Sequence, residues 1–151
     1  MRAILVSRCL LGDSCRYDGA SRPCPGVSDL AGRYRLIPIC PECDGGLPTP
    51  RTPSERRGDA VETKDGRDVT AAFRRGAENA LRLARENDVA FALLKSLSPS
   101  CGVGKIYDGT FTRTLTEGDG VTAGLLKENG IPVYTESDLP ALLSDQSPTI
   151  G

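Results

Sequence analysis

Six cysteines and no histidine set the chemistry available to this 151-residue chain. Without histidine there is no Cys–His or Ser–His nucleophile pair and no imidazole metal ligand. Cys9, Cys40 and Cys101 each lie at or just past the end of an apolar run, whereas Cys15, Cys24 and Cys43 lie inside loops. Thiolates that converge at one face serve a closed zinc site, a redox dithiol or an iron–sulfur cluster. Each thiol, taken singly, also suits an inert buried packing role. Cys40-x-x-Cys43 has zinc-knuckle spacing, with Cys43 or Cys15 as a fourth ligand, but no second such pair accompanies it. As a thioredoxin-like dithiol it would have to open a helix, and the Gly-Gly-Leu-Pro-Thr-Pro that follows argues against one. A cluster held by three cysteines would leave one iron open, as catalytic metal sites do.

Polar groups flank these thiols. Glu42, two residues after Cys40, suits a proton donor or acceptor as well as an ordinary solvated carboxylate. Ser98 and Ser100 bracket Pro99 before Cys101, in a pattern that fits both a proton relay and a simple turn. Cys101-Gly-Val-Gly104 and Gly118-Asp-Gly120, the latter ahead of a helix, are compatible with anion binding or with plain capping.

The elements that must position these groups alternate between strand and helix. Ala3–Ser7, Arg35–Ile39, Val89–Leu94 and Ile131–Tyr134 are expected as buried strands. Residues 25–34 are expected as a short helix, and Thr70 to Asn87 as the clearest one, with Phe73, Ala77, Ala80, Leu81 and Ala84 as its apolar stripe and Thr70 as its cap. Val121–Asn129 should be a helix stopped by Gly130, and Ser137–Leu143 a last one capped by Ser137. Pro41, Pro48, Pro50 and Pro53 make residues 41–57 a long loop. Asp65-Gly66 and Asp108-Gly109 signal two hairpins, the first joining Ala60–Thr63 to Arg67–Val69. The pattern predicts a single α/β domain over residues 1–143, a doubly wound (Rossmann-like), mostly parallel sheet, with a frayed tail over 144–151. In such sheets ligands bind beyond the carboxyl ends of the strands, where these cysteines fall.

With 19 basic and 20 acidic residues the net charge is −1, which gives no footing for broad nucleic-acid or membrane-surface binding. No stretch reaches the roughly 20 apolar residues of a membrane span, and no secretory signal opens the chain. The expected compartment is cytoplasmic, where structural disulfides are rare.

Several ordered motifs carry a resemblance: Val6-Ser-Arg-Cys-Leu-Leu-Gly12, Cys15-Arg-Tyr-Asp-Gly19, Cys40-Pro-Glu42, Gly45-Gly-Leu-Pro-Thr-Pro-Arg51, Leu94-Lys95, Ser98-Pro-Ser-Cys-Gly102, Ile106-Tyr-Asp-Gly109 and Gly118-Asp-Gly-Val-Thr-Ala123. Together they resemble a bacterial family long catalogued as a domain of unknown function, which includes the 2-thiouracil desulfurases. The resemblance implies an oxygen-sensitive 4Fe–4S cluster ligated by Cys9, Cys40 and Cys101, with one iron open to the sulfur of a small thiocarbonyl substrate such as a thiolated nucleobase. It implies hydrolytic, non-redox release of hydrosulfide, with Glu42 and Ser98 handling protons. Cys43 is not required by the family pattern. The competing reading is a non-catalytic zinc- or cluster-binding module.

Overall fold

The computed structural model describes residues 1–12, 17–19 and 23–144. Cys15 and all of the expected 144–151 tail but Ser144, which ends the last helix, lie outside the described residues. Four parallel strands form the central sheet: β1 (Ala3–Ser7), β2 (Arg35–Ile39), β5 (Ala92–Leu94) and β8 (Val133–Thr135), in the order β2-β1-β5-β8. The chain leaves β1 toward β2 on one side and leaves β5 toward β8 on the other. The switch point therefore lies between β1 and β5, where a doubly wound sheet opens its ligand crevice.

Alternation along the strands divides the core in two. Ile4, Val6, Phe91 and Leu93 face a layer holding the 3-10 turn Val27–Gly32 and α4 (Leu139–Ser144). Ala3, Leu5, Ala92 and Leu94 face α2 (Thr70–Glu86) and α3 (Val121–Glu128), which supply Ala80, Ala84, Ala123 and Leu126. On the first face the Phe91 ring meets Tyr34 and Tyr134 edge-on, with centroids 5.2 and 5.4 Å away. Such T-shaped contacts add to the apolar burial of the ring.

Several expectations are corrected. Residues 41–57 are not a continuous loop, because Pro41–Asp44 forms one helical turn, α1, and Ser54–Arg57 forms β3. Pro41 occupies the first helical position, where its missing N–H costs nothing. The Asp44 carboxylate reaches back to accept the Cys40 N–H at 3.1 Å. The full partner of β4 (Ala60–Thr63) is β3 across the Gly58-Asp59 turn. The chain after Asp65-Gly66 returns alongside β4 through an isolated Glu62–Asp68 bridge and the Val69 N–H to Val61 C=O bond. The expected 25–34 helix is the short 3-10 turn, and β5 is briefer than Val89–Leu94, although the Ala90 N–H still bonds Ala3 C=O. Thr70 is the first residue of α2, its hydroxyl accepting the Val61 N–H rather than capping the helix. At the last helical segment the capping box belongs to Thr135 and Asp138, not Ser137. The Asp108-Gly109 hairpin stands, with β6 (Lys105–Tyr107) antiparallel to β7 (Leu115–Glu117).

Candidate functional site

The site is assembled from three strand exits, and close backbone approaches hold each exit in place. Cys9 lies on the 3-10 turn Arg8–Leu11 that follows β1, Cys40 is the residue before α1, and Cys101 lies on the loop beyond β5. All three are buried, 6, 8 and 5 % exposed. Cys9 and Cys40 join the core on the α4 face of the sheet and Cys101 the core on the α2/α3 face, so the set straddles the carboxyl edge.

The Cys40 corner is seated by two glycines. A Cβ on Gly76, inside α2, would stand 1.8 Å from the Pro41 carbonyl oxygen, and one on Gly45 would stand 2.0 Å from that of Ala72. A glycine within a helix costs about 1 kcal/mol against alanine; here it lets α1 lie directly on α2. The Arg75 guanidinium then donates to Gly45 C=O at 2.9 and 3.2 Å, closing the end of α1. Arg8 lies 3.7 Å from Asp44, tying the Cys9 turn to the same corner.

The Cys101 corner is seated on α3. Val121 N–H donates to Pro99 C=O, and Thr122 and Ala123 N–H donate to Ser100 C=O. The Ser100 and Thr122 hydroxyls are 2.8 Å apart in the buried interior, and a Cβ on Gly120 would meet the Ser100 backbone at 2.3 Å. This decides between the two readings of the glycine motifs. The amides that open α3 bind the loop carbonyls, Gly104 N–H binds the Asp119 carboxylate and Gly102 N–H binds Ser98 C=O. They build a capped joint, not an anion cradle.

Ser98 Oγ accepts the N–H groups of Ser100 and Cys101 at 3.1 and 3.0 Å, so it forms the turn that carries the thiol. Among the described residues nothing accepts its hydroxyl proton, which stays available to a ligand. Burial pushes the Cys101 thiol up to about 12; the charges of Glu42 and Cys40 add to this, while hydrogen bonds from Ser7 and Ser100 work against it. Cys101, Cys40 and Glu42 thus fall within one electrostatic neighbourhood.

Reasoning from sequence left Arg51 as the mere end of a turn. Its guanidinium is 6 % exposed and donates from Nε to Glu42 Oε1 at 3.2 Å, with Glu42 18 % exposed. Nη1 also donates to Pro48 C=O and Thr49 Oγ1, each at 3.0 Å, and to Cys43 Sγ at 3.7 Å. Burial works against the Arg51 charge, but Glu42, with Cys43 and Cys40, more than offsets it. Burial likewise raises the Cys43 thiol, Thr49 and Arg51 oppose it, and the neighbouring Cys40 adds to it. The signal for Arg51 was its place at the end of the Gly-Gly-Leu-Pro-Thr-Pro run, which folds it back nine positions onto Glu42.

Among the described residues no three His, Cys, Asp or Glu side chains are gathered closely enough to hold one metal ion. Cys9, Cys40 and Cys101 are buried soft donors, the ligand type by which iron–sulfur clusters are held.

The model of the 2-thiouracil desulfurase family matches residues 4–138. The chain belongs to that family. It is 40 % identical over 150 residues to the uncharacterized protein YbbK of Bacillus subtilis (strain 168), covering 93 % of this chain and 99 % of that protein. Among solved structures it is similar to a 4Fe–4S-dependent thiouracil desulfidase, TudS, with a TM-score of 0.89 and 48 % identity, covering 95 % of this chain and 96 % of the other. The family is one of sulfur-abstracting enzymes, and the mixed α/β fold with its mostly parallel sheet agrees with the solved relative.

Proposed function

We propose that this chain is a non-redox desulfidase that converts a small thiocarbonyl compound, 2-thiouracil or a related thiolated nucleobase, and water into the oxo compound and hydrosulfide. The observation that carries the reading is the placement of three buried thiols on three strand exits beside a partly buried Glu42–Arg51 ion pair. Cys9, Cys40 and Cys101 would hold a 4Fe–4S cluster, and family membership and the solved relative support that cofactor. When bound, the cluster supplies a soft Lewis acid matched to thiocarbonyl sulfur.

The protein's own groups do the rest. An ionised carboxylate is an acceptor only, so Glu42, held as half of an ion pair, acts as the base that takes a proton from the attacking water. Arg51 fixes that carboxylate from behind and keeps the negative charge tolerable in a mostly buried setting. Ser98, with its hydroxyl proton available, hydrogen-bonds the reacting centre or passes a proton to the departing sulfur. Cys43 bonds Thr49 and Arg51 as well as the neighbouring Cys40 thiol, and we assign it no ligand role. The near-neutral chain suits a small uncharged substrate rather than a polyanion. Among the described residues no helix is long and apolar enough to cross a membrane; the cysteine usage supports a cytoplasmic setting for the reaction.

The test is anaerobic reconstitution followed by hydrosulfide release from 2-thiouracil, comparing wild type with Cys9→Ala, Cys40→Ala and Cys101→Ala. Each substitution should abolish both cluster absorbance and turnover. Activity surviving in any one of them would remove that residue from the ligand set. About one zinc per chain, with neither iron nor labile sulfide, would instead make the protein a metal-binding module with a closed tetrahedral site.

A further inference from the structure

Ser7, the last residue of β1, is a polar side chain only 3 % exposed in the middle of the sheet. A buried hydroxyl is costly unless its hydrogen bonds are made. Both are made, and in a defined sense. Ser7 Oγ accepts the backbone N–H of Lys95 at 3.0 Å and donates to Cys101 Sγ at 3.5 Å. Because the Lys95 amide can only donate, it occupies a lone pair of the oxygen and leaves the hydroxyl proton for the sulfur.

The position is telling. Lys95 immediately follows β5, so Ser7 bridges the exits of β1 and β5 at the switch point of the sheet. Lys95 is itself anchored, its ammonium 2.9 Å from Glu136 Oε2, while Ser96 N–H donates to Glu136 Oε1 at 2.8 Å. A continuous set of contacts therefore runs from Glu136, just past β8, through Lys95 to Ser7 and ends on the sulfur. The Ser100 hydroxyl also acts on that sulfur, but it is shared with Thr122. Among the described residues, Ser7 is the one whose side chain joins the thiol to the sheet.

We propose that Ser7 is a positioning residue for the cluster: its hydroxyl aims the Cys101 sulfur and draws charge from it through a donated hydrogen bond. The proposal rests on the cluster reading of the site. Hydrogen bonds to ligand sulfurs are one of the protein's levers on cluster potential, and outer partners of metal ligands are typically worth about 10- to 100-fold in metal affinity or activity. A sulfur relieved of charge donates less to its iron, which leaves the cluster a stronger Lewis acid.

The experiment compares full-length wild type with Ser7→Ala and with the near-isosteric pair Ser7→Thr and Ser7→Val, all reconstituted anaerobically. Valine suits a buried strand and differs from threonine only by replacing the hydroxyl with a methyl, so the pair separates the hydrogen bond from the fold. The readouts are iron and labile sulfide per chain, the rate at which a chelator bleaches the cluster, and its midpoint reduction potential. Ser7→Val and Ser7→Ala should show a lower potential and bleaching about 10- to 100-fold faster, whereas Ser7→Thr should stay close to wild type on both. Equal potentials and bleaching rates for the valine and threonine variants would overturn the role of Ser7 while leaving the cluster intact. A wild type that takes up no iron and sulfide would overturn the cluster reading and the proposal together.

Discussion

The two ends of the central sheet differ in kind. At the amino end a cleft of about 460 Å³ opens between Arg2, Arg85, Asp88, Asn129, Gly130 and Ile131. Its charged groups satisfy the protein itself: Arg2 donates to the carbonyls of Asp88 and Val89, and Arg85 to the Asn129 side chain. The carboxyl end instead gathers three buried thiols, an ion pair and loops seated on glycines. What marks the carboxyl end is its concentration of buried thiols and paired charges, held by close backbone packing.

The contrast can be tested most sharply at Glu42. Glu42→Gln should keep the iron and sulfide content of the reconstituted protein and lower turnover of 2-thiouracil by roughly 10²- to 10⁴-fold, the usual worth of a general base. Loss of the cluster instead would make the residue structural.

A second break uses two helix glycines. Gly76→Ala should destabilise the protein by about 1–3 kcal/mol in urea unfolding, because the new methyl meets the Pro41 backbone, and it should weaken cluster uptake by displacing Cys40. Gly124→Ala in α3, where the nearest neighbour of a Cβ is Asp119 Cβ at 3.8 Å, should be neutral or stabilising by up to about 1 kcal/mol. Equal effects at the two positions would mean that the α1–α2 approach is not close.

Glu136 links pH to this end of the sheet. Burial works against its charge, but bonds from Lys95 and the Ser96 backbone more than offset it, so the carboxyl is held below its usual range. The stability it contributes is therefore present above the unfolded carboxyl's range and lost as pH falls through the lower folded value. Glu136→Gln should cost about 1 kcal/mol at neutral pH, and the gap to wild type should shrink in acid; urea midpoints at the two pH values measure it. The smallest effect belongs to the amino end. Arg2→Ala should change stability by no more than about 0.5 kcal/mol and leave cluster content and turnover unaltered, since its carboxylate partner Asp88 is almost fully exposed.

Much of the fold was legible because the four parallel strands and α2 carry strong local patterns. Apolar runs of four to six residues and a stripe at Phe73, Ala77, Ala80 and Ala84 leave few alternatives. The errors cluster at residues 41–57. There four prolines suggested unbroken loop, yet Pro41 at a first helical position permits the turn that Asp44 closes from within the segment and Gly76 receives from α2. Propensity reads only the chain's near neighbours, and the deciding contact came from a helix over thirty positions away.

By itself the sequence determined the strand order of chemistry: which strand exits carry Cys9, Cys40 and Cys101, and that Glu42 and Ser98 accompany them. Residue types and periodicity are local properties, so a single chain displays them openly. The tertiary structure alone decided how these groups are employed. It folded Arg51 onto Glu42, spent the amides of the glycine motifs on loop carbonyls, and brought the Ser7 hydroxyl from β1 to the sulfur of Cys101. Partnerships across 9, 22 and 94 positions are set by chain crossings and packing, and no spacing in the sequence encodes them.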